Sequence, residues 1–366
     1  MASTQTRPRS NGTRPKLTAR ERVEVSVGKL MAALPPKAQL RLSGKPPIQL
    51  DGQTLEPDVQ LLLAMMERQN NPPIETLPPP VAREAVLHQS QAFAGPEIAV
   101  KEVRDLEVDG AAGPIKARHY VPAEGGGPHP LIVYYHGGGF VICDLDTHDA
   151  PCRLLCKYAG AHVLSIDYRL APEHPFPAAI EDSSAALRWA FDHVEELGAD
   201  PNRIAVGGDS AGGNIATGMA LLGRQGENPM PHFQLLIYPV TDFANHSSSR
   251  DMFAEGFFLT QSEMDWFHEH YALNSGADPS DPRLTPLGVE DLSGLPPAYL
   301  CTAGFDPLRD EGEEYARKLR AAGNRVVFRR FPGLIHGFAN MTAASRSSRD
   351  AMVELAGSAR AMLGSL

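Results

Sequence analysis

From about residue 97 onward, short β-branched and aromatic runs alternate with stretches of helical periodicity. Residues 98–108, 115–121, 131–135, 162–167, 203–207, 233–238, 298–303 and 326–331 read as strands. Residues 147–160, 178–191, 211–222, 309–322 and 349–363 read as helices. The first two strands pair as neighbours in an antiparallel hairpin. Thereafter the strand–helix rhythm predicts an α/β fold, with a mostly parallel eight-stranded sheet carrying helices on both faces. Residues 96–242 plus 283–366 are expected to form this core.

Two regions break the rhythm. Residues 17–95 are Pro-rich with helical patches. Leu61, Leu62, Leu63, Met65 and Met66 follow an acidic helix start at Glu56-Pro57-Asp58. Pro72, Pro73, Pro78, Pro79 and Pro80 then interrupt the chain. Residues 243–282 begin polar and turn aromatic, with Phe253, Phe257, Phe258, Trp266, Phe267 and Tyr271. That stretch is too long for an ordinary loop. Neither region has a sheet of its own, so both are expected to lie over the core as helices. Residues 1–16 carry basic charge without acids and are expected to be a disordered tail.

The chain has 366 residues and a net charge of −10. An acidic balance argues against nucleic acid as a partner. No apolar run is long enough for a membrane-spanning helix, and the basic N-terminus lacks the apolar core of a signal peptide. Cys143, Cys152, Cys156 and Cys301 fit no paired zinc-ligand spacing. They are expected to be reduced thiols in a cytoplasmic protein. No metal or other cofactor is expected. His268-Glu269-His270 does not suggest a metal, because residues two apart on a helix do not share a face. Its expected place is an exposed helix surface. Asp167, Arg169 and Glu173 are expected to brace the loop after their strand through ion pairs.

Chemistry enters with Gly208-Asp209-Ser210-Ala211-Gly212, a G-x-S-x-G between a predicted strand and a predicted helix. A nucleophile on a sharp strand-to-helix turn has its oxygen exposed, and the glycines permit the close backbone approach. The spacing fits neither a phosphate-binding loop nor a dinucleotide fingerprint. Upstream, His136-Gly137-Gly138-Gly139-Phe140 follows the 131–135 strand. Three glycines let backbone N–H groups converge on a developing oxyanion. Gly138, Gly139 and Ala211 are the expected donors, and His136 a brace for the loop. A serine nucleophile needs a base, and the base an orienting acid, in the order Ser, Asp/Glu, His. Among 13 histidines, His336 alone follows His270 and stands just past the last strand. Asp306 sits just past the 298–303 strand. Asp310 and Glu311 are rivals, but a helix N-terminus gives them an adequate role of its own.

These motifs resemble the hormone-sensitive-lipase family of carboxylesterases, the bacterial family IV. The likeness rests on HGGGF at 136–140, DYRLAPEHPFPA at 167–178, GDSAGG at 208–213, DPLRDE at 306–311 and HGF at 336–338. It implies an α/β-hydrolase fold with a helical cap built from residues 17–95 and 243–282. It implies a Ser210–Asp306–His336 triad and an ester substrate of short to medium acyl chain. Asp209, Phe140, Phe253, Phe257 and Phe258 are the expected substrate-binding residues. Cys143 departs from the glycine that relatives often carry, and is expected to fill core. A homodimer through the apolar strand at 326–331 is expected from the same likeness. Lactones, amides and thioesters are alternative substrates for the same triad. A non-catalytic receptor is a further alternative, against which the presence of His336 speaks.

Overall fold

The computed structural model describes residues 7, 8, 26, 28, 30–123 and 128–365. Its centre is one sheet. The strands are β1 (Glu102–Gly110), β2 (Gly113–Val121), β3 (His129–Tyr135), β4 (His162–Ile166), β5 (Ala199–Asp209), β6 (Phe233–Ile237), β7 (Ala298–Phe305) and β8 (Val326–Ile335). They lie in the order β1-β2-β4-β3-β5-β6-β7-β8. β2 runs antiparallel to both its neighbours, and every pair from β4 to β8 is parallel. Arg7–Pro8 adds a two-residue antiparallel rung against Arg104 and Asp105, making nine strands in this sheet among the described residues. A separate two-stranded ladder, Gln49–Leu50 with Gln53–Thr54, corrects the expectation that residues 17–95 carry no sheet of their own. The Arg7–Pro8 rung corrects part of the disordered tail expected for residues 1–16. The rest of that tail lies outside the described residues.

The inner strands are apolar because both faces are covered. β6 and β7 are buried along their whole length, as is β3 beyond His129. Helix α6 (Ala211–Arg224) packs closely on the sheet through the small residues Gly212, Gly213, Ala216 and Ala220, all buried. The region expected as one helix at 147–160 is α4 (Asp149–Leu155) running into a π-turn over Cys156–Gly160. The remaining core helices are α5 (Ala178–Asp192), α9 (Arg309–Ala321) and α10 (Arg346–Leu363).

Outside this core, residues 30–95 carry α1 (Pro36–Ser43), α2 (Pro57–Gln69) and α3 (Pro79–Ala94). Prolines occupy the first turn of all three, where a missing N–H costs nothing. Asp58 fixes α2 to the core by accepting bonds from Ser345 Oγ, Ser347 N and Ser347 Oγ, each at 2.9 Å. Residues 243–282 carry α7 (Ser248–Met252) and α8 (Gln261–Tyr271). Thr260 and Glu263 close a reciprocal capping box at the start of α8. His268 and His270 are half-buried rather than an exposed face, because each ring meets an aromatic neighbour, Phe243 at 5.3 Å and Trp266 at 4.8 Å. Among the described residues no helix is long and apolar enough to cross a membrane.

Candidate active site

Ser210 stands between β5 and α6 with φ 55° and ψ −119°, a strained backbone for a residue with a side chain. The flanking glycines make the turn possible. A Cβ on Gly212 would lie 1.9 Å from the Tyr135 carbonyl oxygen, and one on Gly208 would lie 2.3 Å from Gly212. Backbone bonds hold the turn on both sides, from Ser210 N to Ile237 O at 2.9 Å and from Val240 N to Ser210 O at 3.1 Å.

His336 follows β8 and brings its Nε2 to 2.9 Å from Ser210 Oγ. Its Nδ1 lies 2.8 Å from Asp306 Oδ2, beyond the end of β7. A buried carboxylate accepts the Nδ1–H, which leaves the Nε2 lone pair facing the hydroxyl. Asp306 is fully buried, and its other oxygen accepts the Leu308 N–H at 2.8 Å. Tyr238 packs on the imidazole at 4.7 Å, and its hydroxyl accepts the Ala339 N–H at 3.2 Å. The rivals Asp310 and Glu311 do other work. Asp310 accepts the Ser249 N–H, while Glu311 accepts the N–H groups of Thr241 and Asp242 and pairs with Arg250. Together they tie the 241–252 segment to α9. Burial pushes the Glu311 carboxyl up to about 7.

The glycine loop after β3 bends through left-handed backbone at Gly138 (φ 107°), Gly139 (φ 57°) and Phe140 (φ 63°). The Gly137 N–H is occupied, donating to Asp209 Oδ1 at 3.1 Å. The N–H groups of Gly138 and Gly139 donate to no acceptor among the described residues. Ala211 is the first residue of α6, where the N–H has no partner within the helix.

Three contacts clamp this loop from outside the core. A Cβ on Gly139 would lie 2.2 Å from the Phe267 ring of α8. The Phe140 ring stacks on Tyr271 of α8 at 3.8 Å. From α3, Arg83 Nε donates to Val141 O at 2.8 Å while its guanidinium pairs with Glu173. Arg169 pairs with the buried Asp182 at 2.7 Å. Arg169 and Glu173 thus hold loop structure through ion pairs, as expected, but Asp167 makes none among the described residues, and burial brings its carboxyl up to about 6.

Asp209 borders the site, but its carboxylate is spent inside the protein. Oδ1 accepts the Tyr134 hydroxyl at 2.7 Å as well as the Gly137 N–H, and His148 lies 3.3 Å from Oδ2. Burial opposes its charge, yet the adjacent His148 and the Tyr134 hydroxyl hold it below the usual carboxylate range. These bonds favour Asp209 orienting the glycine loop over the expected contact with substrate, although its residue borders the cavity. His136 is buried against Tyr168, at 4.3 Å, and burial brings its imidazole down to about 4, a neutral brace.

A cavity of about 430 Å³ opens over Ser210, His336, Gly138 and Gly139. Phe258, Leu259, Met264 and Phe267 form one wall, and Met66, Ile74, Val86 and Phe93 another. Phe258 and Phe140 border it as expected. Phe253 and Phe257 do not. Both pack on Phe305, at 5.6 and 5.3 Å, and Arg309 caps the Phe253 ring, so this pair anchors the segment below the cavity. Cys143 packs against the core as expected and also borders the cavity beside Gly138, with its thiol pushed up by burial and so neutral.

Sequence reasoning missed Glu263, Phe267 and His148. The Thr260-Gln261-Ser262-Glu263 capping signature was available for the first. Glu263 borders the cavity, where burial pushes its carboxyl up to about 7. The other two carry no local signal of their own.

Residues 132–340 match the α/β-hydrolase fold family. Over 346 residues the chain is 48% identical to carboxylic ester hydrolase LipN of Mycobacterium tuberculosis, spanning 93% of this chain and 92% of that protein. It is 34% identical to ethyl acetate hydrolase of Pseudomonas putida, over 82% of this chain and 96% of that one. Among solved structures, an ester hydrolase from the metagenome of Lake Arreo, bound to a bipyridine phosphonate derivative, superposes with a TM-score of 0.82. It shares 45% identity, covering 85% of this chain and 99% of the other. Matches of this extent decide the classification: the chain belongs to the hormone-sensitive-lipase branch of the α/β-hydrolase family.

Proposed function

We propose that this protein is a serine carboxylesterase that hydrolyses short- to medium-chain acyl esters through an acyl-enzyme. The observation that carries the reading is the 2.9 Å contact between Ser210 Oγ and His336 Nε2, backed by Asp306 at 2.8 Å. Ser210 attacks the ester carbonyl while His336 takes its proton. Asp306 stabilises the imidazolium. The oxyanion receives the N–H groups of Gly138, Gly139 and Ala211, the first two of which donate to no acceptor among the described residues. His336 then gives its proton to the departing alcohol, and water repeats the sequence on the acyl-enzyme. Residues 30–95 and 243–282 act as the cap that closes the cavity; of the expected cap, residues 17–25, 27 and 29 lie outside the described residues.

The test is turnover of p-nitrophenyl esters of two to sixteen carbons, combined with trapping by diethyl p-nitrophenyl phosphate. The expected result is turnover highest at short or medium chains, and stoichiometric inactivation with a diethylphosphoryl mass increase on the Ser210 peptide. No turnover and no mass increase would overturn the reading. Turnover of lactones, amides or thioesters in preference to every ester would move the substrate class.

The state of Glu263 gives a pH prediction. With its carboxyl at about 7, it is neutral at pH 6 and ionised at pH 8, close enough to His336 to attract the imidazolium. Glu263→Gln keeps the capping box and removes that charge. At pH 8 the variant is expected to have about two- to fivefold lower kcat/KM, with little difference at pH 6. Superimposable pH profiles would show that the carboxyl has no electrostatic part in the reaction.

Two finer readings belong to the same proposal. All four cysteines are free, which suits a reducing cytoplasm. β8 is an edge strand with Val327 exposed, which suits pairing with a second copy. Light scattering decides the latter, and a monomer at 39.6 kDa would sink it.

A further inference from the structure

A second cavity of about 410 Å³ lies between α2 and α3. Its own walls are largely apolar, with Leu61, Leu62, Met65, Leu77 and Ala92. Among the described lining residues the one carboxylate, Asp58, is taken up by Ser345 and Ser347. This chamber is not separate from the site over Ser210. Met66, Ile74, Val86, Gln89 and Phe93 border both cavities, as do Gln69, Asn71 and Pro72 at the end of α2, so a single layer of residues divides them. Met66, Gln89 and Phe93 are unbranched or end in a ring that turns about one bond, which makes that layer compliant.

We propose that the second chamber receives the far end of a linear aliphatic chain whose ester carbonyl sits at Ser210. The inference rests on the esterase reading and deepens it by naming where the far end of a medium-length chain is held. A chain that has filled the first cavity passes between Met66 and Phe93 and continues to bury methylenes against α2 and α3. Each methylene so buried raises kcat/KM by about three- to fourfold if its transfer is realised in the transition state. The same chemistry is available to an acyl tail and to the alkyl tail of an alcohol, and the test separates them.

The test measures kcat/KM for two substrate series, p-nitrophenyl esters of increasing acyl length and acetate esters of increasing alcohol length. The readout is the ratio of a ten-carbon to a four-carbon substrate within each protein. Ala92→Trp and Met65→Trp fill the second chamber from different helices without bordering the first. Either is expected to lower the ratio at least tenfold, in the one series whose tail enters the chamber. Phe93→Ala thins the dividing layer and is expected to raise the ratio in that series. Ratios equal to the parent's in all folded variants and both series would overturn the proposal. Failure of the parent to hydrolyse any ester would instead overturn the esterase reading itself.

Discussion

Ser210→Ala is expected to lower kcat for short p-nitrophenyl esters by about 10⁴- to 10⁶-fold, with KM and thermal stability nearly unchanged. The size follows from what is lost. Without Oγ no acyl-enzyme forms, so the two-step route closes entirely. What remains is attack by water on a carbonyl still bound beside Gly138, Gly139 and Ala211. Stability should hold because Oγ is engaged only with His336 among the described residues. The turn is held by backbone bonds from Ser210 N and to Ser210 O. The measurements are steady-state kinetics and a thermal melt on the same preparation. Equal turnover in parent and variant would mean that another group is the nucleophile.

Asp209→Ala is expected to damage both rate and stability, and the two effects share a cause. The substitution leaves the Tyr134 hydroxyl, the Gly137 N–H and His148 without their carboxylate. Breaking a buried, charge-assisted cluster from one side costs about 3–5 kcal/mol. It also frees Gly137, so the next two N–H groups lose their aim. A single misplaced oxyanion donor costs about 10²- to 10³-fold in kcat. A substrate-contact residue would act differently, raising KM and leaving the melt alone. Asp209→Asn separates these cases. It still accepts from Gly137 N, so kcat should recover in part while the loss of charge beside His148 remains. A rise in KM alone, at unchanged kcat and melting temperature, would restore the substrate-binding reading of Asp209.

The core was legible because its signals are local. Alternating strand and helix patterns located every strand from β1 to β8 within a few residues. The ends differ by up to four residues: β1 begins at Glu102 rather than at 98, and two other ends are extended by tertiary pairing. β8 runs on to Ile335 because Phe305 pairs with Ile335 past an irregularity in the register. β5 begins at Ala199 because that residue pairs with His129 before the register shifts. The Ser210, Asp306 and His336 constellation was equally readable, since each follows a strand end in a fixed order. Side-chain direction outside the core was not. Phe253, Phe257 and Phe258 look equivalent in sequence. Only the left-handed turn at Phe258, φ 79°, sends one ring to the cavity while the other two pack on Phe305. Asp209 stayed ambiguous for the same reason. Its partners Tyr134, Gly137 and His148 come from β3 and the loops that follow it, far from Asp209 in sequence.

The clamp on residues 139–141 limits how this enzyme can be re-engineered. Phe267 and Tyr271 press on Gly139 and Phe140 from one insertion, and Arg83 holds Val141 from the other. The covering segments are therefore not interchangeable parts. A chimaera that imports residues 243–282 from a relative to change substrate range also replaces the surface against which the oxyanion donors are set. Selectivity and turnover should then drift together, even when the new segment encloses the same volume. Independent tuning of the two requires keeping Arg83, Phe267 and Tyr271 fixed while the remaining wall residues are exchanged.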